Sequence, residues 1–252
     1  MTAIAKISIP QQAELNQSAD KSPLEQIKDF TGKSQGAVRT LALGQQTIKL
    51  VNAINTAAGS APVLKELESK LGAGRSVLAI PYLPIVVDNA RKSVEESVEN
   101  PNDTQLLLKA VRNTSEATAV ATAVGGLLFP TLGKFAGPFA FGEDATDVVI
   151  RSRDLVHCNA MLAEIDRREE VTETRVTKEV KVAVSDTKAF TLMRLIKAVC
   201  GAVAGFFGLG LLATGFSAPL AIALCLISLV STVSALTAEF FKESRMYNLV
   251  SL

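Results

Sequence analysis

Forty-one consecutive residues, Ala198 to Ala238, carry no Asp, Glu, Lys, Arg or His, and the stretch is interrupted near its midpoint by Gly215-Phe-Ser-Ala-Pro219. As one continuous helix it would reach roughly 60 Å, about twice the ~30 Å hydrocarbon thickness of a bilayer. Broken at Ser217–Pro219, it leaves two arms, Ala198–Phe216 and Leu220–Ala238, of 19 residues each. About 20 apolar residues make one helical crossing. Proline cannot continue the i to i−4 hydrogen-bond ladder and glycine relaxes the chain. Gly215, Ser217 and Pro219 are therefore the expected turn of a transmembrane hairpin.

The flanks agree with that expectation. Lys188, Arg194 and Lys197 precede the first arm, Lys242 and Arg245 follow the second, and the turn carries no charge. Positive residues at the outer ends place both termini on the cytoplasmic side, with Arg194, Lys197, Lys242 and Arg245 as the topology-setting charges. One charge at mid-bilayer costs about 2.5–3.5 kcal/mol on insertion scales, so an uncharged run of this length selects for lipid. Gly201 and Gly205, with Gly208 on a nearby turn, are small residues at a spacing that lets helices approach closely. They serve packing within the hairpin, or between copies in a homo-oligomer. The rival reading is a hairpin buried in a soluble core, as pore-forming toxins carry. The polar Arg151–Lys188 segment is poorly suited to cover both arms, so membrane lipid is the expected partner of the hairpin.

Composition narrows the remaining classes. Twenty-six basic and 25 acidic residues leave a formal charge of +1, with two tyrosines and no tryptophan. A chain that neutralises many phosphates needs a basic excess and base stacking needs aromatics, so nucleic acid is not an expected partner. The mean hydropathy of +0.28 is high for a chain with 20% charged residues. Cys158, Cys200 and Cys225 make no disulfide framework. The N-terminus lacks the apolar core of a secretory signal, so the Asn-x-Ser/Thr triplets at Asn16, Asn102 and Asn113 read as chance matches.

Upstream of the hairpin the chain reads as all-α, a helical cytosolic body. Residues 1–35 form a polar tail expected to be disordered. Residues 36–150 are a helical region. Val38, Leu41, Ile48 and Val51 mark an amphipathic helix over 36–55, ended by Asn55-Thr-Ala-Ala-Gly59. Pro62–Leu71 gives a short second helix stopped by Gly72-Ala-Gly74. The next apolar stretch, with Pro81 and Pro84, has 12 residues before Asp88 and is too short to span, so it reads as a kinked core helix or an interfacial segment. Asp88–Glu99 is a helix, and Asp103 or Thr104 caps the following one. That helix runs into 117–142, a weakly apolar Gly/Pro-rich segment that fits a packed or interfacial helix pair better than a crossing. Glu143, Asp144 and Asp147 lack a calcium-loop pattern and read as the acidic start of a helix, stabilised by its dipole. Residues 151–197 are expected to be one long charged amphipathic helix, and 239–252 a short cytosolic tail.

Reactive chemistry is missing from the pattern. Gly32-Lys33-Ser34 lacks the upstream glycine of a phosphate loop, since position 27 is Ile27. His157 and Cys158 are helical neighbours whose side chains diverge by about 100° and cannot form a catalytic pair. The spacing offers no metal ligand set, no cofactor motif and no nucleophile elbow. No catalytic residue is assigned, and a non-enzymatic protein is expected.

The two closely spaced apolar arms, Ala198–Phe216 and Leu220–Ala238 around the Ser-Ala-Pro turn, resemble the bilobed hairpin of chlamydial inclusion membrane proteins. The likeness is topological and covers about a sixth of the chain. It implies type III secretion, insertion into a host-derived vacuole membrane, and a scaffold facing the host cytosol at both ends. Here the hairpin lies near the C-terminus, which places the surface for a protein partner in residues 36–197. The alternative function is membrane shaping, with the hairpin and Ala117–Phe141 wedging one leaflet.

Overall fold

The computed structural model describes residues 34–169, 175–211 and 217–245, with side chains described over 36–167, 178–207 and 217–242. Every described element is helical, and the chain is all-α. Helix α1 (Ser34–Ala57) ends where the sequence places a break. Gly59 takes φ 75°, and Ser60 N donates to Asn55 O at 2.8 Å to close the last turn. That left-handed φ is open to glycine at little cost. Asn52 fixes the following corner: its Oδ1 accepts from Leu64 N at 3.1 Å and its Nδ2 donates to Glu68 Oε2 at 3.0 Å.

Helix α2 (Lys65–Ala79) runs straight through Gly72-Ala-Gly74, against the sequence expectation of a stop. The glycines are packing positions. A Cβ on Gly72 would lie 2.8 Å from Gln45 Nε2, and one on Gly74 3.6 Å from Leu41 Cδ1. Close approach to α1 compensates the ~1 kcal/mol that glycine costs inside a helix. The prolines do not break the chain either. Pro81 sits in a single 3-10 turn (Ile80–Tyr82), and Pro84 in the first turn of α3 (Leu83–Glu99), where an absent N–H is tolerated. The helical stretch Lys65–Glu99 thereby reaches 35 residues, long and apolar enough to cross a membrane. The 12 apolar residues before Asp88 are too short to cross alone, and the flanking helical turns supply the rest of the length.

Helix α4 (Thr104–Gly125) starts on Asp103, whose Oδ1 accepts from Gln105 N at 2.8 Å and Leu106 N at 3.3 Å. A one-turn helix, α5 (Pro130–Gly133), follows, and then three long helices: α6 (Ala136–Glu169), α7 (Arg175–Leu211) and α8 (Ala218–Arg245). The expected single charged helix over 151–197 is instead the end of α6 and the start of α7. The two run antiparallel, with Asp166 paired to Lys181 at 2.8 Å, Glu143 to Lys197 at 2.9 Å, and Phe141 against Gly205. The mixed charges of this segment pair across the hairpin as well as along one helix, which helical periodicity cannot distinguish.

The helices close into a ring. α3 packs on α4, α4 on α6, α6 on α7, α7 on α8, α8 on α1 and α1 on α2, while α2 returns to α4 and to the 3-10 turn. Its polarity is inverted relative to a water-soluble bundle. Buried apolar side chains are mostly alanines, with Val86, Val184, Leu224 and Cys158 the larger ones. Asp144, Asp147, Asp154, Arg194 and Lys197 are buried with them. The large apolar side chains lie outside: Leu128 is 79% exposed, Phe206 63% and Phe129 61%. Water would penalise that surface, and lipid would not. Besides Lys65–Glu99, the stretches Lys178–Phe207 and Ala218–Lys242 are long and apolar enough to cross a membrane.

Candidate functional site

A belt of ionised groups crosses the ring at one level. Its centre is Asp147 of α6, fully buried, with Arg112 Nε of α4 at 3.0 Å and Arg151 Nε at 3.4 Å from its Oδ1. Neither N–H points along a hydrogen-bond direction, so these two contacts are Coulombic. Arg194 Nη2 of α7 donates to Asp147 Oδ2 at 3.4 Å, and Arg194 Nη1 to Glu239 Oε1 of α8 at 3.1 Å. Arg151 reaches Asp154 at 2.9 Å, and Arg112 lies 3.8 Å from Glu116. Tyr82 Oη donates to Glu116 Oε1 at 2.8 Å, which brings in the 3-10 turn. Buried ions persist only where partners compensate lost hydration, and the belt supplies partners from α4, α6, α7 and α8.

The second knot is Lys197, whose ammonium donates to Glu143 at 2.9 Å and to Asp144. Ser231 Oγ donates to the Lys197 carbonyl at 2.9 Å and ties α8 to the same level. One ammonium serving two carboxylates splits their titration. Burial alone would raise Glu143, but Lys197 and Arg112 outweigh it and hold its carboxyl down at about 2. Asp144 is raised to about 6, first by burial and then by the neighbouring Glu143, against the pull of Lys197. Like charges that share a site separate in this way.

The belt divides the molecule lengthwise. On one side lie the end of α4, α5, the start of α6, the end of α7 and the start of α8, with Leu127, Leu128, Phe129, Leu132, Phe135, Phe139, Phe206 and Leu226 exposed. On the other lie the charged halves of α6 and α7. From Lys197 to the end of α7 at Leu211 is about 21 Å at 1.5 Å per residue, roughly two-thirds of the ~30 Å hydrocarbon thickness.

The residues singled out in the sequence fall around this boundary. Arg194 and Lys197, read there as topology-setting charges, are buried ion-pair partners. Lys242 lines the ring's interior, and the Arg245 side chain lies outside the described residues. Gly201 and Gly205 face α6: a Cβ on Gly201 would collide with the Asp144 carboxylate, and one on Gly205 would lie 2.9 Å from Phe141 Cβ. Gly208 is in α7. Ser217 precedes α8 and Pro219 sits in its first turn, while Gly215 lies outside the described residues. Glu143, Asp144 and Asp147 are not a helix start. α6 begins at Ala136, and these acids lie in its second and third turns, facing cations from α4 and α7. His157 is exposed and Cys158 buried, so they diverge; burial, then Asp154, raises the thiol. Among the described residues no cluster of His, Cys, Asp and Glu could hold a metal ion.

The ring surrounds a cavity of about 1250 Å³. Arg39, Arg75, Arg112, Arg194 and Glu143 line it at belt level, with Lys49 further along α1. The pattern of lone cations in α1 and α2 gave no signal in the sequence, because neither helix carries a motif.

No protein-family model, curated protein or solved structure matches the chain.

Proposed function

We propose that the chain is a membrane-anchored, non-enzymatic interaction protein, embedded in lipid through the apolar end of its ring and presenting the charged end to the cytosol. One observation carries this: every exposed phenylalanine among the described residues, with Leu127, Leu128, Leu132 and Leu226, lies at one end of the ring beyond a buried ionic belt, while the exposed valines of the other end stand among charged side chains. In water that surface would drive aggregation, whereas in hydrocarbon it is solvated and the internal charges remain paired. The anchor extends beyond the hairpin of α7 and α8 to α5 and the adjoining ends of α4 and α6. The charged ends of α6 and α7, with α3, are the surface offered to a protein partner. On the family resemblance, that membrane is a host-derived vacuole reached by type III secretion.

The test is membrane extraction. The intact chain is expected to stay with membranes through alkaline carbonate washing, and a variant lacking Ala198–Ala238 to appear in the supernatant. Release of the intact chain by carbonate would refute the anchor. Membrane shaping is a second reading, favoured by the exposed Leu128 and Phe129 beside Pro130, a wedge at the tip of the apolar end. Liposome tubulation by the purified chain, lost on Leu128→Ser/Phe129→Ser, would select it; unchanged vesicles at high coverage would remove it.

A further inference from the structure

We infer that the cavity inside the ring is a binding site for a compact phosphorylated anion, gripped by Arg39 of α1 and Arg75 of α2. In the belt, Arg112, Arg151, Arg194 and Lys197 each have a carboxylate within ion-pair distance. Among the described residues, none lies within that distance of Arg39 or Arg75. Both side chains line the cavity, and Glu143, a carboxylate on the same wall, is already engaged by Lys197.

Arg75 is surrounded by protein yet keeps exposed surface, because its side chain borders the cavity. Two guanidinium groups on one cavity wall, neither with an ion-pair partner among the described residues, offer several N–H donors to an anion, and phosphoryl oxygens match their fork geometry. The wall as a whole has the same sign, nine basic side chains to four acidic. The volume exceeds what one phosphate needs and suits a ligand with a phosphorylated head and a further body. That chemistry is shared by a soluble phosphate ester and by the headgroup of an anionic phospholipid. The site does not depend on the anchor reading, since its residues line the cavity in either solvent.

The experiment is equilibrium binding to the full chain in neutral-detergent micelles. Two probes are used, inorganic pyrophosphate and dioctanoyl phosphatidic acid, with dioctanoyl phosphatidylcholine as the control lipid. Saturable binding near one per chain is expected for at least one probe. Tighter pyrophosphate identifies a soluble ligand, and tighter phosphatidic acid a lipid headgroup. Arg39→Gln/Arg75→Gln should weaken binding by more than about tenfold, in line with the loss of two charge-assisted contacts. Should the glutamine pair fail to fold, Arg39→Lys/Arg75→Lys keeps both charges while removing the forks, and it should bind several-fold more weakly. Binding of neither probe, binding equal to that of phosphatidylcholine, or unchanged affinity in the folded variants would overturn the assignment.

Discussion

Replacing Asp147 by asparagine removes one charge while keeping the shape of the side chain. Three guanidinium groups lie within 3.0–3.4 Å of that carboxylate, which is fully buried. Breaking a buried pair by removing one partner costs about 3–5 kcal/mol, because the remaining charge is left uncompensated. Here Arg112, Arg151 and Arg194 each keep a second carboxylate, in Glu116, Asp154 and Glu239. The lower end, about 3 kcal/mol, is therefore the expectation. For a chain of this size each kcal/mol moves the melting temperature by about 2–4 °C, so Asp147→Asn should melt about 6–12 °C below wild type. Circular dichroism of the full chain in neutral-detergent micelles reads this. Arg194→Met should cost less in the Asp147→Asn background than in the wild type, since one of its two ion pairs is already gone, and the double-mutant cycle should show a coupling above about 1 kcal/mol. Melting of Asp147→Asn within about 2 °C of wild type would refute the belt as the element that joins α4, α6, α7 and α8.

Two further outcomes follow from the same residues. A carboxyl held low, Glu143 at about 2 against an ordinary 4.5, stabilises the fold above its ordinary value, and that contribution fades as pH falls from 4.5 toward 2. A carboxyl held high, Asp144 at about 6 against 3.8, destabilises once ionised, and acidification through 6 relieves this. The melting temperature should thus rise on acidification from about pH 7 to about pH 5 and fall only below about pH 4, where the loss from Glu143 outweighs the gain from Asp144, with Asp144→Asn abolishing the rise; a flat wild-type profile would contradict the shared ammonium. Gly201→Ala should cost about 1–3 kcal/mol, because its methyl displaces the Asp144 carboxylate, whereas Gly137→Ala meets nothing within 4 Å and should be neutral or better. Equal melting of the two alanine variants would show that α6 and α7 do not approach as described.

The sequence made the helical class and the hairpin break legible, because both rest on local physics: apolar run length, and proline and glycine where a ladder must end. Asp103 as a cap was equally local. What it hid was tertiary. Glu143, Asp144 and Asp147 satisfy the rule for a helix start, and nothing nearby in the chain reveals that their cross-helix partners are Arg112 upstream in α4 and Arg194 and Lys197, 47 to 54 residues downstream. Gly72 and Gly74 carry the signal of a stop but serve contact with α1, because glycine answers two demands that a single chain cannot separate. Pro81 and Pro84 mislead for a related reason, since each falls where its missing N–H costs little. Arg39 and Arg75, 36 positions apart, are brought to one cavity only by the closing of the ring.

Hydrocarbon must contact the apolar end of the ring for the chain to be anchored as proposed. Bimane attached at Phe206→Cys in a chain with its native cysteines replaced, reconstituted into phosphatidylcholine vesicles, measures that contact through quenching by acyl-chain doxyl lipid. The same label at Val156→Cys, on the charged half of α6, is the reference. Strong lipid quenching at 206 with aqueous iodide quenching at 156 is the predicted result. Iodide reaching both labels equally, with no response to the doxyl lipid, would contradict it.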